Sequence, residues 1–313
     1  MRVLVGGLLR NGEAAVGRIT QLALDLQREF GDVIVHVFEN NSTDDTPALL
    51  MQAAREQPNL FVRCEVWDLN AFRESGKART WDNGCCRLEL IAEARNRLLD
   101  WMRESALADD DRFVMIDWDF ATAPPIDALV RWIRELPEDL DAVFANGTDR
   151  RGRYYDLYEL RTAEHPLGPE VMGDRFWTSR ARKRALHRVI DPGNPPVPCL
   201  SAFGGLAIYR AGAVGGCRYS PYPTPELHDF YTDLFTARPG HREVRRLRRE
   251  KVTTHHRGAL LGAYLFDDVI FYRNNSGYNF PIAAEHVNLH LAMRANGRGR
   301  FVIAPDLGYT WNN

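Results

Sequence analysis

Two carboxylates two residues apart carry the clearest chemical meaning in this 313-residue chain. Asp117 and Asp119 follow the apolar run 113–116, which is typical of a buried strand. Alternate residues of a strand project to the same side, so the pattern places both carboxylates together where the strand ends. Oxygen ligands of this kind suit Mg²⁺ or Mn²⁺, which also bridge phosphate oxygens. Short D-x-D triplets also occur in turns, but a cation removes the cost of burying two carboxylates side by side.

A second polar cluster, E-N-N-S-T-D-D-T-P over 39–47, follows the β-branched run 33–38. An acid directly after a parallel strand, here Glu39, can accept hydrogen bonds from a base or a ribose. Ser42 and Asp45 have the spacing of a capping box for a helix that extends to about Gln57. The amino-terminal end of such a helix adds positive potential for phosphate.

Two arginines are candidates for offsetting the charge of a diphosphate. Arg10 follows the first predicted strand, and Arg95 lies on a predicted helix, 88–105, just before the D-x-D strand. A surface ion pair of Arg95 with Glu93 or Asp100 explains that residue equally well.

The remaining candidates lie late in the chain. Gly204 and Gly205 interrupt the apolar run 201–209, which indicates a bulge, an approach of backbone to ligand, or packing against a helix. Glu285 and His286 begin a predicted helix, 283–296, and are candidates for activating an acceptor hydroxyl. His290 lies one turn beyond His286, so the pair could reach a metal, although a core histidine is the commoner outcome.

The elements that position these residues alternate between strand and helix over the first 150 residues, which predicts an α/β fold with a mostly parallel sheet flanked by helices. Ligands of such sheets lie beyond the carboxyl ends of the strands. We expect a single domain over 1–313, with a nucleotide-binding half (1–150) and an irregular acceptor-binding half (151–313). The stretch 161–200 is rich in Pro, Gly and Arg and reads as a long loop.

Composition excludes some partners and suggests others. Lys and Arg (40) nearly balance Asp and Glu (42), which excludes a global field for nucleic acid. Five cysteines without a C-x-x-C pair, and no signal peptide or membrane span, predict a cytoplasmic protein. Two basic clusters are read as solvated helix faces or as contacts to the inner face of a membrane: Arg180, Arg182, Lys183, Arg184 and Arg188; and Arg242, Arg245, Arg246, Arg248, Arg249 and Lys251.

Together these segments resemble a known family. Arg10-Asn11, the E-N-N-S segment from Glu39, Arg95-Asn96 and Asp117-Trp118-Asp119 resemble the nucleotide half of GT-A glycosyltransferases. Later segments resemble, more specifically, the capsule-associated mannosyltransferase-like group. They are 152–161, the F-G-G-x-A-I-Y-R block at 203–210, and Glu285-His286.

The resemblance implies transfer of a hexose, mannose or another, from a GDP- or UDP-linked donor to a glycan or lipid-linked glycan, with Mn²⁺ or Mg²⁺. It implies nucleotide contacts from Arg10, Glu39, Asn41, Arg95, Asp117 and Trp118, a sugar pocket lined by Gly204 and Gly205, metal ligands Asp117, Asp119 and His290, and acceptor activation by Glu285 and His286. Retaining and inverting chemistry both stay open. Two alternatives are a sugar-nucleotide pyrophosphorylase and an inactive carbohydrate-binding protein.

Overall fold

The computed structural model of the chain describes residues 1–75, 87–172, 176, 180–187, 190–245, 263–266, 269–272 and 282–311. Arg188, Arg246, Arg248, Arg249 and Lys251 of the basic clusters lie outside this part, and so do two of the five cysteines, Cys85 and Cys86. The side chain of Arg182 is also outside it.

Strands and helices alternate through the first part of the chain, as the sequence predicts. The strands β1, β2, β3 and β4 pair in parallel in the order β3-β2-β1-β4. The predicted α/β fold, with parallel strands through the first part of the chain, is therefore confirmed. The elements are β1 (Val3–Leu9), α1 (Val16–Phe30), β2 (Val33–Asn40), α2 (Thr46–Glu56), β3 (Leu60–Glu65), α3 (Leu69–Glu74), α4 (Arg87–Glu104) and β4 (Arg112–Asp117).

The sheet continues through strands from the second part of the chain. A strand from late in the sequence, β8, inserts antiparallel between β4 and β6, and β11 then pairs in parallel with β6. The full order is β3-β2-β1-β4-β8-β6-β11-β5, with β7 beside β11. These strands are β5 (Phe120–Thr122), β6 (Ala142–Thr148), β7 (Val197–Cys199), β8 (Leu206–Arg210) and β11 (Phe301–Trp311); β9 (Ala263–Phe266) and β10 (Val269–Tyr272) form a separate hairpin.

The described parts of 161–200 contain more regular and more firmly held structure than the expected loop, although 162–168 and 190–196 are irregular. Arg161 pairs with Ser201 in an isolated bridge, and its guanidinium is buried against Glu170 at 2.9 Å. A buried ion pair of this kind has to be held in a fixed geometry, so the segment is anchored. It contains α6 (Pro169–Met172), α7 (Arg180–Leu186) and β7.

Hydrophobic residues alternate across the sheet and bury both of its faces. Val114 and Ile116 of β4 pack on the side of α1 and α5 (Ile126–Arg134), while Phe113 and Met115 pack on the side of α4. Each fully buried side chain of this size contributes roughly 1.5–3 kcal/mol. A third cluster joins α9 (Pro225–Ala237) to α10 (Glu285–Ala295). Between β8 and α9 lies the short helix α8 (Ala211–Val214).

Candidate functional site

The D-x-D triplet lies where β4 ends, with its two acids on one side and Trp118 on the other. Trp118 is fully buried in the core between the sheet, α1 and α5. Its indole covers Gly7 of β1, where an added Cβ would lie 2.3 Å from Nε1. The expectation that Trp118 contacts a nucleotide is therefore wrong, because the alternation that exposes Asp117 and Asp119 turns Trp118 inward.

Arg95 lies beneath the site and contacts Asp117. Its Nη2 donates to Oδ1 of Asp117 at 2.8 Å, and its Nη1 donates to Glu285, the first residue of α10. The guanidinium also lies over the rings of Phe203 and Tyr219, with distances of 4.8 Å and 5.7 Å to their centroids. Arg95 is 4% exposed, so the alternative of a surface ion pair is wrong.

Among the residues that the structure describes, carboxylates outnumber the cations around Arg95. Besides Asp117 and Glu285, Asp156 and Glu159 interact electrostatically with this guanidinium. The nearby Arg161 is engaged by Glu170. A group of acids with so little compensation favours either protons or an added cation.

The pKa values of these acids show that imbalance. Burial, and then the charge of Asp117, raise the pKa of Asp119 to about 6. The Asp119 side chain is nevertheless accessible to solvent, as expected for a group in the wall of a cleft. Burial raises the pKa of Asp156 to about 7, against the hydrogen bond from Gly204 that lowers it. The pKa values of Glu159 and Glu285 are also raised, first by burial.

Gly204 and Gly205 precede β8 and do not interrupt it, which corrects the sequence expectation. Both have positive φ values, 63° and 90°, a region that favours glycine. Gly204 N–H donates to Oδ2 of Asp156 at 2.9 Å, and the Gly205 carbonyl accepts from Asp117 N–H at 2.9 Å. The glycine pair thus fixes two site acids through its backbone.

The carboxyl end of β11 supplies aromatic groups that the sequence reading missed. Tyr309 donates its hydroxyl to the Asp117 carbonyl at 2.8 Å, and Trp311 donates its indole N–H to Oδ2 of Asp119 at 3.3 Å. Tyr155 stacks on Trp311. The segment 152–161 was recognised as a motif, which could have drawn attention to Tyr155, Asp156 and Glu159, whereas nothing in the local pattern marks 309–311.

The loops after β1 and β2 bond to each other, and this replaces the predicted capping box. Ser42 Oγ accepts from Asn11 N–H at 2.9 Å, and the side chain of Asp45, at the N-cap of α2, accepts no capping hydrogen bond. Asp44 accepts instead from Thr46 N–H at 3.2 Å. The capping box is therefore wrong, because Ser42 is used between loops.

Glu39 and Asn41 are both engaged by backbone groups, Glu39 within the loop after β2 and Asn41 with the segment after β3. Glu39 is 2% exposed, and its carboxylate accepts from Ser42 N–H at 2.8 Å. The Asn41 amide accepts from Trp67 N–H at 3.1 Å and donates to the Trp67 carbonyl at 3.0 Å. In this arrangement both side chains shape the loops, and their predicted contact with a nucleotide stays a prediction. Arg10 is exposed and donates to the Asn41 carbonyl at 3.2 Å.

The acid and histidines of α10 lie beneath the site, not on its surface. His290 is fully buried, with Nδ1 bonded to Ser201 at 2.8 Å and Nε2 to Tyr209 at 2.9 Å, so neither nitrogen is available for a metal. His286 stacks on Phe203 at 3.8 Å, and burial lowers its pKa well below the usual value. Glu285 is 3% exposed and held by Arg95. His290 therefore has no free nitrogen for a metal, and Glu285 and His286, the candidates for activating an acceptor hydroxyl, are buried below the surface of the site.

Asp117 and Asp119 are the residues that could hold a divalent cation. Within the described ranges, no three His, Cys, Asp or Glu side chains converge as a ready metal cage. Mg²⁺ commonly binds through one or two carboxylates plus waters and substrate phosphates, so two acids on one side fit such an ion. The uncompensated charge around Arg95 fits an added cation as well.

Two further expectations, on the basic clusters and on membrane spans, concern residues that the structure describes only in part. Arg180 and Arg184 lie exposed on α7, as a solvated helix face requires. No helix in the described part of the chain is long and apolar enough to cross a membrane.

Several solved structures match the chain at low sequence identity. No family model and no curated protein matches the chain. The mannosyltransferase PcManGT from Pyrobaculum calidifontis, in complex with GDP-Man and Mn²⁺, is 15% identical, with a TM-score of 0.46 over 99% of this chain and 56% of its own. TarS of S. aureus is 14% identical, with a TM-score of 0.36 over 70% of this chain and 50% of its own.

The third comparison is glucosyl-3-phosphoglycerate synthase from Mycobacterium tuberculosis, in complex with Mn²⁺, UDP and glucosyl-3-phosphoglycerate. It is 16% identical, with a TM-score of 0.37 over 75% of this chain and 66% of its own. The chain thus spans half to two thirds of the length of these proteins. A likeness at this level concerns the course of the chain, and the ligands are those of the enzymes named.

Proposed function

We propose that this protein is a metal-dependent glycosyltransferase that moves a hexose from a GDP- or UDP-linked donor to a glycan or lipid-linked glycan. The observation that carries the proposal is the pair Asp117 and Asp119 at the end of β4, beside Arg95 and among acids whose pKa values are raised. A divalent cation offsets part of this negative charge and can also bind the oxygens of a diphosphate.

The chain contributes binding and positioning on the nucleotide side. The backbone of the loops after β1 and β2 is fixed by Asn11, Ser42 and Asn41, which leaves a preformed edge beside the acids. Exposed Arg10 lies on that edge and can approach a phosphate. Asp117 and Asp119 would hold Mn²⁺ or Mg²⁺. When bound, such an ion neutralises charge on the departing nucleoside diphosphate.

The acceptor side includes a carboxylate that sequence reasoning did not single out. Asp156 is half-buried, is oriented by Gly204 N–H and has its pKa raised to about 7. A carboxylate with a pKa near neutrality can take a proton from an acceptor hydroxyl. Glu285 positions Arg95 in this account. The halves 1–150 and 151–313 form one catalytic domain, since both supply residues to the site.

One observation weighs against the pyrophosphorylase alternative. Gly6 and Gly7 lie inside β1 and pair with both neighbouring strands, so they do not form a glycine-rich phosphate loop. A screen of GDP- and UDP-linked sugars for Mn²⁺-dependent donor hydrolysis tests the proposal. We expect hydrolysis of one donor, abolished in Asp119→Ala. Pyrophosphate release from a nucleoside triphosphate would support a pyrophosphorylase, and glycan binding without nucleotide binding would support an inactive carbohydrate-binding protein.

A further inference from the structure

Two aromatic rings lie face to face beside the acids of the site. Tyr155 and Trp311 stack with their centroids 5.2 Å apart and their planes 3° from parallel. Both side chains are half-buried, so neither ring is fully covered by protein. Core packing does not explain this accessible pair, because the two rings pack only against the edge of the hydrophobic cluster between the sheet, α1 and α5.

The pair is directly connected to the carboxylates. Trp311 donates its indole N–H to Oδ2 of Asp119 at 3.3 Å. Burial raises the pKa of Tyr155 well above its usual value, and the charges of Asp156 and Asp117 raise it further. The phenol therefore lies within the field of two site acids. The two rings and the acids form one surface.

The backbone around both rings is held by the sheet. Tyr155 N–H donates to the Gly147 carbonyl at 3.1 Å, and the preceding residue, Tyr154, bridges Thr148. Trp311 pairs with Phe120 of β5, next to Asp119. Rings fixed in this way lose little conformational freedom when a ligand covers them.

The chemistry of such a surface matches a sugar ring. A pyranose has a face of C–H groups and a rim of hydroxyls. The π face of an aromatic ring is electron-rich and attracts the C–H face, while neighbouring carboxylates accept hydrogen bonds from the hydroxyls.

We propose that Tyr155 and Trp311 form a stacking platform for the pyranose ring of the donor. The inference rests on the proposed function, because the donor sugar is joined to the phosphate that the cation binds. Trp311 contacts Asp119, so a ring on this platform lies beside that phosphate. The two aromatic residues thus determine how strongly the sugar part of the donor is held.

The experiment separates the sugar from the nucleotide. Calorimetry with Mn²⁺ gives the Kd of GDP-mannose relative to GDP, and of UDP-glucose relative to UDP, for the wild-type protein and the variants. We expect Tyr155→Ala and Trp311→Ala to raise the Kd of the nucleotide sugar about 10-fold, while the Kd of the nucleoside diphosphate changes much less. Tyr155→Phe and Trp311→Phe keep a ring and should retain most of that contribution.

Trp101→Ala is the matched control, since Trp101 is half-buried and packs on His36 at 4.4 Å, along α4 from Arg95. It should leave the ratio unchanged. Equal losses of nucleotide sugar and nucleoside diphosphate in Tyr155→Ala would overturn the platform in favour of a role in the cation site. A raised acceptor KM with unchanged donor affinity would overturn the donor assignment.

Failure of the proposed function would be visible separately. If the wild-type protein binds neither nucleotide with Mn²⁺, the glycosyltransferase proposal and the donor role both fail. Free mannose and glucose then test the platform by saturation-transfer NMR. A signal that Tyr155→Ala abolishes supports a sugar-stacking surface, and no signal in the wild-type protein overturns it.

Discussion

The two ends of the candidate site satisfy their polar groups in different ways. In the loops after β1 and β2, side chains such as Asn41 and Ser42 are hydrogen-bonded to backbone of the neighbouring loop. Around Arg95, acids accumulate and their pKa values are raised. The first region is complete without a ligand, whereas the second carries a charge imbalance.

This difference indicates that the two regions contribute differently to ligand binding. A loop pair held by its own hydrogen bonds offers a fixed edge, so little ordering is required when a ligand binds. An uncompensated acid cluster costs folding free energy that a cation or protons can recover. The largest effects of mutation should therefore appear around Arg95, and the smallest in the loops.

Arg95→Met should be the most damaging change. It leaves Glu285 and Asp117 without their buried partner, and breaking a buried ion pair costs about 3–5 kcal/mol. Urea unfolding measures the loss. Arg28→Met is the control, because Arg28 is exposed on α1, forms a surface pair with Asp25 at 3.1 Å and should change stability by less than about 1 kcal/mol. Equal losses in both variants would contradict a special role for Arg95.

Stability without metal should depend on pH in a definite direction. The folded-state pKa values of Asp119 and Asp156 are raised from 3.8 to about 6 and about 7. Between pH 4 and 7 the folded state therefore binds more protons than the unfolded state, so these groups make stability fall as pH rises. Buried histidines with lowered pKa values, such as His36 and His286, act in the opposite direction, so the two acids are isolated by comparison with the double variant Asp119→Asn, Asp156→Asn. In thermal unfolding with chelator, the stability of the wild-type protein relative to this variant should fall from pH 4 to pH 7. An unchanged slope in the double variant would contradict the assignment.

Asn41→Ala should have a moderate effect. It leaves both backbone groups of Trp67 without their partner, which costs about 1–3 kcal/mol. Urea unfolding and the Kd of GDP or UDP measure the result, and both should worsen. Asn70→Ala serves as control because that side chain is exposed on α3. A neutral Asn41→Ala would show that the loop edge is not held as described.

The smallest expected changes in stability come from substitutions at the start of α2. Asp44→Ala removes the acceptor of Thr46 N–H and should cost about 1 kcal/mol. Asp45→Ala removes no capping hydrogen bond and should stay within about 0.5 kcal/mol. Chemical denaturation distinguishes the two variants. The reverse order would restore the capping box that the sequence suggested.

The sequence predicted local features well where one periodicity dominates. The strands 33–38 and 112–116 and the helix 88–105 were recognisable because their burial patterns are regular, and Asp117 with Asp119 followed from strand alternation. Long-range pairing was not readable. Insertion of β8 between β4 and β6 places Gly204 against Asp156, and nothing near either residue signals it.

Long-range packing also explains why some residues were assigned to the site incorrectly. Trp118, His286 and His290 were expected near ligand because of their types and spacing, but tertiary packing buries all three. Conversely, Trp311 reaches Asp119 only because β11 pairs with β5. Spacing along the chain therefore identified the acids, while the fold decided which neighbours they have.

The central claim, that Asp117 and Asp119 hold a divalent cation together with a nucleoside diphosphate, is tested most directly by titrating Mn²⁺ into the protein by calorimetry with and without GDP or UDP. We predict tight Mn²⁺ binding only with one of the nucleotides in the wild-type protein, and a loss of at least 100-fold in Asp119→Asn, whose fold should be retained. Undiminished nucleotide-dependent Mn²⁺ binding in Asp119→Asn would contradict the account.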